Sequence, residues 1–227
     1  IWGFVTQFFF GHSSWLASAA GVLIGAVLLW DLLFRSQIGF SMCFMEEMWS
    51  RNLGHLFVSP LRAHEFIISM MVVSCLRGFF GLLPSWILAF VFFEFSIFSY
   101  GFGIVAFFSC LMVMGWSLGM IVISLVLRFG LGAESLAWVA IFAFAPISAV
   151  YYPVETLPAW LQIVAWCTPS AYVFEGMRSV LIDNIFRYDL LLGAILVNIV
   201  YLFAGIFVFA FSFLGARKQG KLLQTGE

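Results

Sequence analysis

The feature that most constrains this chain is a series of apolar stretches, each close to the length of a membrane-spanning helix. A spanning helix needs about 20 mostly apolar residues, and only the fourth stretch, which carries Pro146, is clearly shorter. Because lipid offers no hydrogen bonds to the backbone, long apolar stretches cross it as helices, and the pattern predicts an all-α polytopic membrane protein. The stretches are 15–40, 66–93, 103–127, 135–150 and 190–214.

The first ten residues are also apolar, but they are too few to cross a bilayer. We interpret residues 1–10 as the end of a first span that is truncated in this chain, which predicts six spans for the full protein. The sequence has no internal repeat and no shift in composition that would divide it. Residues 1–227 are therefore expected to form a single transmembrane domain.

Charged residues make up only 9% of the 227 residues, whereas soluble domains carry about 25%. The net charge of −1 gives no electrostatic case for binding nucleic acid. Seven basic residues lie in alternate connectors on one side, and the opposite side holds Arg178 and Arg187. Because basic loops stay inside, segment 41–65 and the C-terminus are predicted to be cytoplasmic and segment 151–189 to face outward. We expect the membrane to be the bacterial inner membrane.

The cytoplasmic connector is too apolar for a solvated linker and too charged to span. Phe44, Met48 and Leu53 follow helical spacing. Ser59 would end one helix, because the residue before a proline is disfavoured in the α region. Pro60 would start the next helix, because proline suits the first helical position. This pattern predicts a short helix docked under the membrane, and an amphipathic helix that only lies on lipid remains the alternative.

The outer segment has a different composition. Between two apolar stretches, residues 151–178 hold three prolines and six Tyr, Trp or Phe residues but few charges. Prolines exclude a regular spanning helix, and amphipathic aromatic residues favour the membrane–water boundary. The pattern therefore predicts a segment that lies at the outer membrane surface.

Two blocks of the sequence resemble the permease subunits of type-2 ABC exporters. The first, in the cytoplasmic connector, consists of Glu46-Glu47, Leu53, Leu56 and Val58-Ser59-Pro60-Leu61. The second, in the outer segment, consists of Tyr152-Pro153, Leu157-Pro158, Trp160-Leu161, Pro169, Tyr172 and Arg178. The blocks occur in the family's order and the span count fits. One departure is Arg51-Asn52, where Gly-Thr is usual, which leaves the local shape of that loop open.

The resemblance implies the six-span transmembrane domain of an exporter that has no ATPase domain of its own. The second block would cap the outer end, and a second permease chain, identical or a sister, would complete the pathway. Two copies of an ATP-binding subunit would carry the ATP and Mg²⁺, and no cofactor is expected on this chain, which lacks a phosphate-binding GxxxxGK[ST] loop. The cargo would be a glycan, a lipid-linked molecule or a hydrophobic small molecule. The residues implied to couple to the ATP-binding subunit are Arg51, Asn52, Gly54, His55, Leu56, Ser59, Pro60 and Leu61.

Charges inside the apolar stretches call for partners, because an unpaired charge at the centre of a spanning helix costs about 2.5–3.5 kcal/mol on insertion scales. Arg77 lies well inside the second stretch, and Asp31 lies in the preceding one. We expect Arg77 to pair with Asp31 or with Glu46 or Glu47. Such a pair is either a structural lock between helices or a contact that opens during transport.

Gly115-Trp116-Ser117-Leu118-Gly119 matches the G-x-S-x-G motif of serine hydrolases. No histidine base follows it, so we predict no catalytic residue and interpret Gly115 and Gly119 as close helix-packing positions. No convincing metal-ligand cluster surrounds His55 or His64. An ion-coupled secondary transporter would need coupling carboxylates or broken helices in repeated halves, which the sequence does not clearly show; it is the alternative function, and a structural assembly factor also stays open.

Overall fold

The computed structural model describes residues 14–58, 62–93 and 102–218, and in these ranges the chain is helical with no strand. The predicted all-α fold is therefore confirmed. Residues 1–10, interpreted above as the end of a first span, lie outside the described ranges. In chain order the α-helices are α1 (Ser14–Trp49), α2 (Leu53–Val58), α3 (Ala63–Phe93), α4 (Phe102–Phe129), α5 (Ser135–Phe144), α6 (Ala159–Trp166), α7 (Pro169–Asp183) and α8 (Tyr188–Lys218).

Four of the described helices are long and apolar enough to cross a membrane, namely α1, α3, α4 and α8. The stretch 135–150 behaves differently, since α5 ends at Phe144 after ten residues, a rise of about 15 Å. Turns then carry the chain through Pro146, which has no N–H to continue the helix. By length, α5 covers about half of a hydrocarbon core of about 30 Å.

Helix α1 also differs from its prediction, because it continues nine residues past position 40 and ends at Trp49. Phe44 and Met48, expected in a separate cytoplasmic helix, thus belong to the last turns of a spanning helix. No proline and no capping residue interrupts 40–48, and a lone glycine at Gly39 does not end a helix. The separate helix is only α2, with six residues.

Three of the long helices run in the same direction and touch one another. A Cβ atom placed on Gly115 of α4 would lie 2.7 Å from Cβ of Ser36, and one on Gly119 would lie 2.8 Å from the Phe40 ring. The step from residue 115 to 119 on α4 matches the step from 36 to 40 on α1, so the two helices are parallel. In the same way, Asn198 of α8 contacts Cys110 and Gly205 contacts the Ser117 carbonyl, so α8 and α4 are parallel.

Hydrogen bonds between side chains and carbonyl oxygens join these helices in the interior. Ser36 Oγ donates to the Met112 carbonyl at 3.0 Å, and Ser74 Oγ of α3 donates to the Ser36 carbonyl at 2.9 Å. Asn198 Nδ2 donates to the Cys110 carbonyl at 3.0 Å. Each such bond in a membrane bundle contributes about 0.6 kcal/mol, so close packing at glycine carries much of the stability.

Helix α4 forms the centre of the bundle. One cluster of buried side chains, around Leu33, Phe107, Leu111 and Phe174, joins α1, α4 and α7. A second cluster, around Phe40, Phe44 and Phe209, joins α1, α4 and α8 at the other end. The outward faces of α3 and α8 expose large apolar side chains such as Phe80 and Phe207, which suits contact with lipid.

The parallel helices give the bundle two chemically different ends. At one end α1, α4 and α8 finish and α3 begins; we call it the basic end. Its exposed basic residues are Arg51, Arg62, Arg128, Arg217 and Lys218. The opposite end holds the outer segment, residues 151–189.

Candidate functional site

At the basic end, a tight turn at residues 50–52 joins α1 to α2, and we call the turn and α2 together, residues 50–58, the elbow. The Ser50 N–H donates to the Glu46 carbonyl at 3.0 Å, and the Asn52 N–H donates to the Glu47 carbonyl at 3.0 Å. Between them, Arg51 takes a left-handed backbone with φ of 55°. This conformation favours glycine, so the backbone at Arg51 is strained, and the chain still makes the turn.

The elbow is attached to α1 by two side chains. Asn52 Nδ2 donates to Glu47 Oε2 at 2.7 Å, so Glu47 serves the loop and does not face Arg77. Leu53 is buried in the cluster that contains Phe40 and Phe44. A force on α2 would therefore reach α1 through a side-chain hydrogen bond and a buried apolar contact.

The residues expected to couple lie at different levels around the elbow. Arg51 and His55 are exposed, and Asn52 and Gly54 are half-buried. Leu56 lies in α2, and Ser59, Pro60 and Leu61 lie outside the described residues. Trp49, which adjoins the elbow in sequence, is 44% exposed.

Arg77 meets Glu46 across the α1–α3 contact. Nη1 and Nη2 of Arg77 donate to Oε1 and Oε2 of Glu46 at 2.9 and 2.7 Å, a bidentate pair. Asp31, also considered as a partner, instead accepts from Nε of Arg35 at 2.9 Å, one turn along its own helix. The expectation for Asp31 is corrected in this respect, because Arg35 is nearer and holds the carboxylate.

The two ion pairs lie along one side of α1. Positions 31, 35 and 46 fall within about 60° on the helix surface, at 100° per residue. The Arg77 and Glu46 side chains are 46% and 45% exposed, and the neighbouring surface residues Val72, Val73 and Leu76 are apolar. Charges that are nearly half exposed are costly against acyl chains, so this stripe favours water or another protein as its neighbour.

In the outer segment, Arg178 connects three separate parts of the chain. It is buried, and its Nη2 donates to the Ala149 carbonyl and to Glu175 Oε1, both at 2.9 Å. Glu175 Oε1 also accepts from the Val154 N–H at 2.7 Å. Glu175 and Arg178 thus fix the turn after α5 and the start of the outer segment against α7.

The other outer-cap residues shape the surface-lying part. Tyr152 donates from its hydroxyl to the Pro146 carbonyl at 2.6 Å. Pro153 and Pro158 precede short helices, and Pro169 is the first residue of α7, positions where a missing N–H does no harm. Trp160 is 68% exposed on α6, whereas Tyr172 packs edge-on against Trp166.

The G-x-S-x-G motif is part of the helix packing. Ser117 is buried, and its hydroxyl donates to the Val113 carbonyl of its own helix at 2.8 Å. Gly115 and Gly119 lie against α1, as described above. The motif places small residues at a close helix contact, and its serine hydroxyl is bound to backbone.

Comparison with protein families settles the identity of this architecture. The sequence profile described as ABC-2 type transporter matches residues 1–182, most of the chain. This chain is an ABC-2 type transporter family member. It is accordingly a multi-pass integral membrane protein and a permease subunit of an ABC transporter. Members of this family are transport subunits that are not themselves catalytic and that associate with an ABC ATP-binding subunit. A comparison with curated proteins finds no match.

Several residues that organise this ABC-2 permease were missed by reasoning from its sequence. Glu175 lies three residues before Arg178, so an i,i+3 charge pair in an apolar block was the available signal. Gly205 and Asn198 join α8 to α4, and a glycine and an amide inside an apolar stretch were the signals there. Arg35, one of the seven basic residues that the sequence assigns to the cytoplasmic connectors, lies instead inside α1, fourteen residues before its end.

Proposed function

We propose that this ABC-2 permease is the membrane subunit of an ATP-driven exporter and that its elbow receives the stroke of a separate ATP-binding subunit. The observation that carries the proposal is the attachment of the elbow to α1. Asn52 and Leu53 tie α2 to α1, while Arg51 and His55 are left exposed at the basic end. A docking surface fixed in this way transmits motion, whereas a loose loop would absorb it.

In this proposal, ATP and Mg²⁺ bind to the partner subunits, which lie at the cytoplasmic, basic end. Two ATP-binding subunits close on ATP and push segment 41–65 of two permease chains, which are either identical or a permease and its sister. Because α2 is short and anchored, the push moves the basic end of α1. The pathway between the two permeases then changes from inward-facing to outward-facing.

The Glu46–Arg77 pair is proposed to face this pathway. Its position on the α1–α3 contact couples the helix that receives the stroke to the next spanning helix. A bidentate pair whose side chains are nearly half exposed can open at a lower cost than a buried one. We therefore propose that it opens and reforms during transport.

The outer segment is proposed to cap the outer end of the pathway. Its frame is held by Arg178 and Glu175, while α6 presents Trp160 and Ile163, which are 68% and 70% exposed. An apolar, aromatic face at the exit suits a cargo with sugar rings or hydrophobic parts. The proposed cargo class is accordingly a glycan, a lipid-linked molecule or a hydrophobic small molecule.

The test is co-purification with the ATP-binding subunit, followed by measurement of ATPase activity and export. Gly54→Arg places a bulky cation on the half-buried side of the elbow, and we expect an inserted, thermally stable protein that loses export. The matched control is Gly132→Arg, also at the basic end, where an added Cβ meets open space. Normal export and normal ATPase activity with Gly54→Arg would refute the role of the elbow.

A further inference from the structure

The parallel course of α4 and α8 brings two helix C-termini together at the basic end. Between them lies a cleft of about 460 Å³, which we call the terminal cleft. Its rim carries Arg128 at the end of α4 and Lys218 at the end of α8. Its walls are formed by Leu127, Phe211, Leu214 and Gly215.

The rim of the terminal cleft is positively charged. Neither Arg128 nor Lys218 forms an ion pair with any carboxylate in the part of the chain that the structure describes. Two helix C-termini contribute about −0.5 charge each, and Arg128 and Lys218 on the rim contribute two positive charges. A net positive charge therefore remains after the helix dipoles are compensated.

The guanidinium of Arg128 has a defined position. Its Cζ lies 5.7 Å from the centroid of the Phe129 ring, within the range of a cation–π contact. The ring covers one side of the guanidinium and leaves its donors free at the edge. A planar group with free paired donors matches the oxygens of a phosphate.

Below this charged rim the cleft is apolar. Phe211 and Leu214 are 74% and 54% exposed, and they precede Lys218 by seven and four residues, or about 10 and 6 Å along the helix. The distance from the basic rim to the apolar wall thus matches the distance from the headgroup of a phospholipid, through its glycerol, to the upper part of its acyl chains. A free phosphate would use only the rim, and an acidic protein surface would leave the apolar wall uncovered.

We propose that the terminal cleft binds an anionic phospholipid, with its phosphate at Arg128 and Lys218 and an acyl chain along Phe211 and Leu214. The residues that line the site belong to α4 and α8, and none of them is an elbow residue or a member of the α1–α3 ion pairs. The proposal requires that α4 and α8 cross the membrane, and it does not require coupling to the ATP-binding subunit. Basic clefts between spanning helices at a membrane surface have this preference by charge.

The experiment titrates the purified full chain in neutral detergent with short-chain phosphatidylglycerol and follows the unfolding temperature. We expect stabilisation by phosphatidylglycerol and none by phosphatidylcholine or by inorganic phosphate. Arg128→Gln with Lys218→Gln should weaken phosphatidylglycerol binding about 25-fold, or about fivefold for each charge removed. The matched control, Arg187→Gln at the opposite end, should leave binding unchanged.

A second variant tests the shape of the cleft without changing its charge. A Cβ on Gly215 meets open space, so Gly215→Leu should fold normally and fill the cleft, and it should weaken binding at least tenfold. Gly78→Leu, also in open space but on α3, is its control. Unchanged lipid binding in both cleft variants would overturn the proposal. The proposal would also be overturned if inorganic phosphate alone stabilised the protein, or if the cleft variants lost only their binding to the ATP-binding subunit.

Discussion

Arg178 donates from Nη2 to the carbonyl oxygen of Ala149 at 2.9 Å, and Ala149 is held in a left-handed backbone with φ of 51°. Both residues are buried. The turn that follows α5 frees backbone carbonyls in the bundle interior, where water cannot serve them. The guanidinium of Arg178 satisfies these carbonyls and pairs with Glu175, so one side chain permits a half-length helix to end inside the protein.

Arg178→Gln is expected to destabilise the protein by about 3 kcal/mol, because it removes the cation that pairs with Glu175 and the donor to the Ala149 and Val150 carbonyls. The measurement is thermal or denaturant-induced unfolding of the detergent-solubilised protein. Arg178→Gln combined with Glu175→Gln should recover part of the loss, since the unpaired charge is gone. Equal stability of Arg178→Gln and the unchanged protein would contradict this role.

Ala149→Gly should raise the free energy of unfolding by about 0.5–1 kcal/mol, because glycine adopts a positive φ without strain. Ala149→Val should lower it by about 2 kcal/mol, since a β-branched side chain is strained there and lacks space at a fully buried site. Unfolding curves of the two variants give the comparison. Equal free energies of unfolding for the two variants, or a lower value for Ala149→Gly than for the unchanged protein, would show that the turn is not strained.

Gly115→Ala is predicted to destabilise the bundle by about 1–3 kcal/mol. Its new Cβ would lie 2.7 Å from Ser36 and 3.0 Å from the backbone nitrogen of Gln37, and the backbone cannot rotate away. Gly78→Ala is the control, because a Cβ there contacts nothing within 4 Å and alanine favours helix. If thermal unfolding ranks the two variants equally, close approach of α1 and α4 is not what requires glycine.

Reversal of the ion pair tests the α1–α3 contact. Glu46→Arg or Arg77→Glu alone should lower the free energy of unfolding by about 1–2 kcal/mol and impair export. This loss of stability is smaller than for a charge that fully faces lipid, because both side chains are nearly half exposed. The double reversal should restore most of the stability. Asp31→Asn, which removes the other pair, serves as the control, and a double reversal no better than either single variant would argue against direct pairing.

Four of the five predicted spans fall within long apolar helices, because apolar length identifies such helices, whereas stretch 135–150 forms only the short α5. Stretch 190–214 falls inside α8, and 103–127 falls inside α4. The end of α1 was not accessible, because Glu46 and Glu47 look like the start of a polar connector. In the structure Glu46 pairs with Arg77 and Glu47 binds Asn52, so both charges are accommodated at the end of a helix.

The sites were accessible only in part. Resemblance directed attention to the residues around Arg51, and depth in the membrane indicated that Arg77 needs a partner. Which carboxylate meets Arg77 depends on where α1 and α3 cross, and no local pattern contains that information. The role of Arg178 depends on a turn 28 residues earlier in the chain, and sequence spacing does not reveal such a contact.

The parallel packing of α4 and α8 has a consequence for biosynthesis. The contact between Cys110 and Asn198 joins residues separated by 88 positions, so α4 is synthesised well before the helix that packs against it. Until α8 leaves the ribosome, the face of α4 that receives Asn198 and Gly205 has no partner. Among the described helices, α8 therefore completes the packing around α4, and a nascent chain halted before residue 188 would present this bare face to the proteases that remove unassembled membrane proteins.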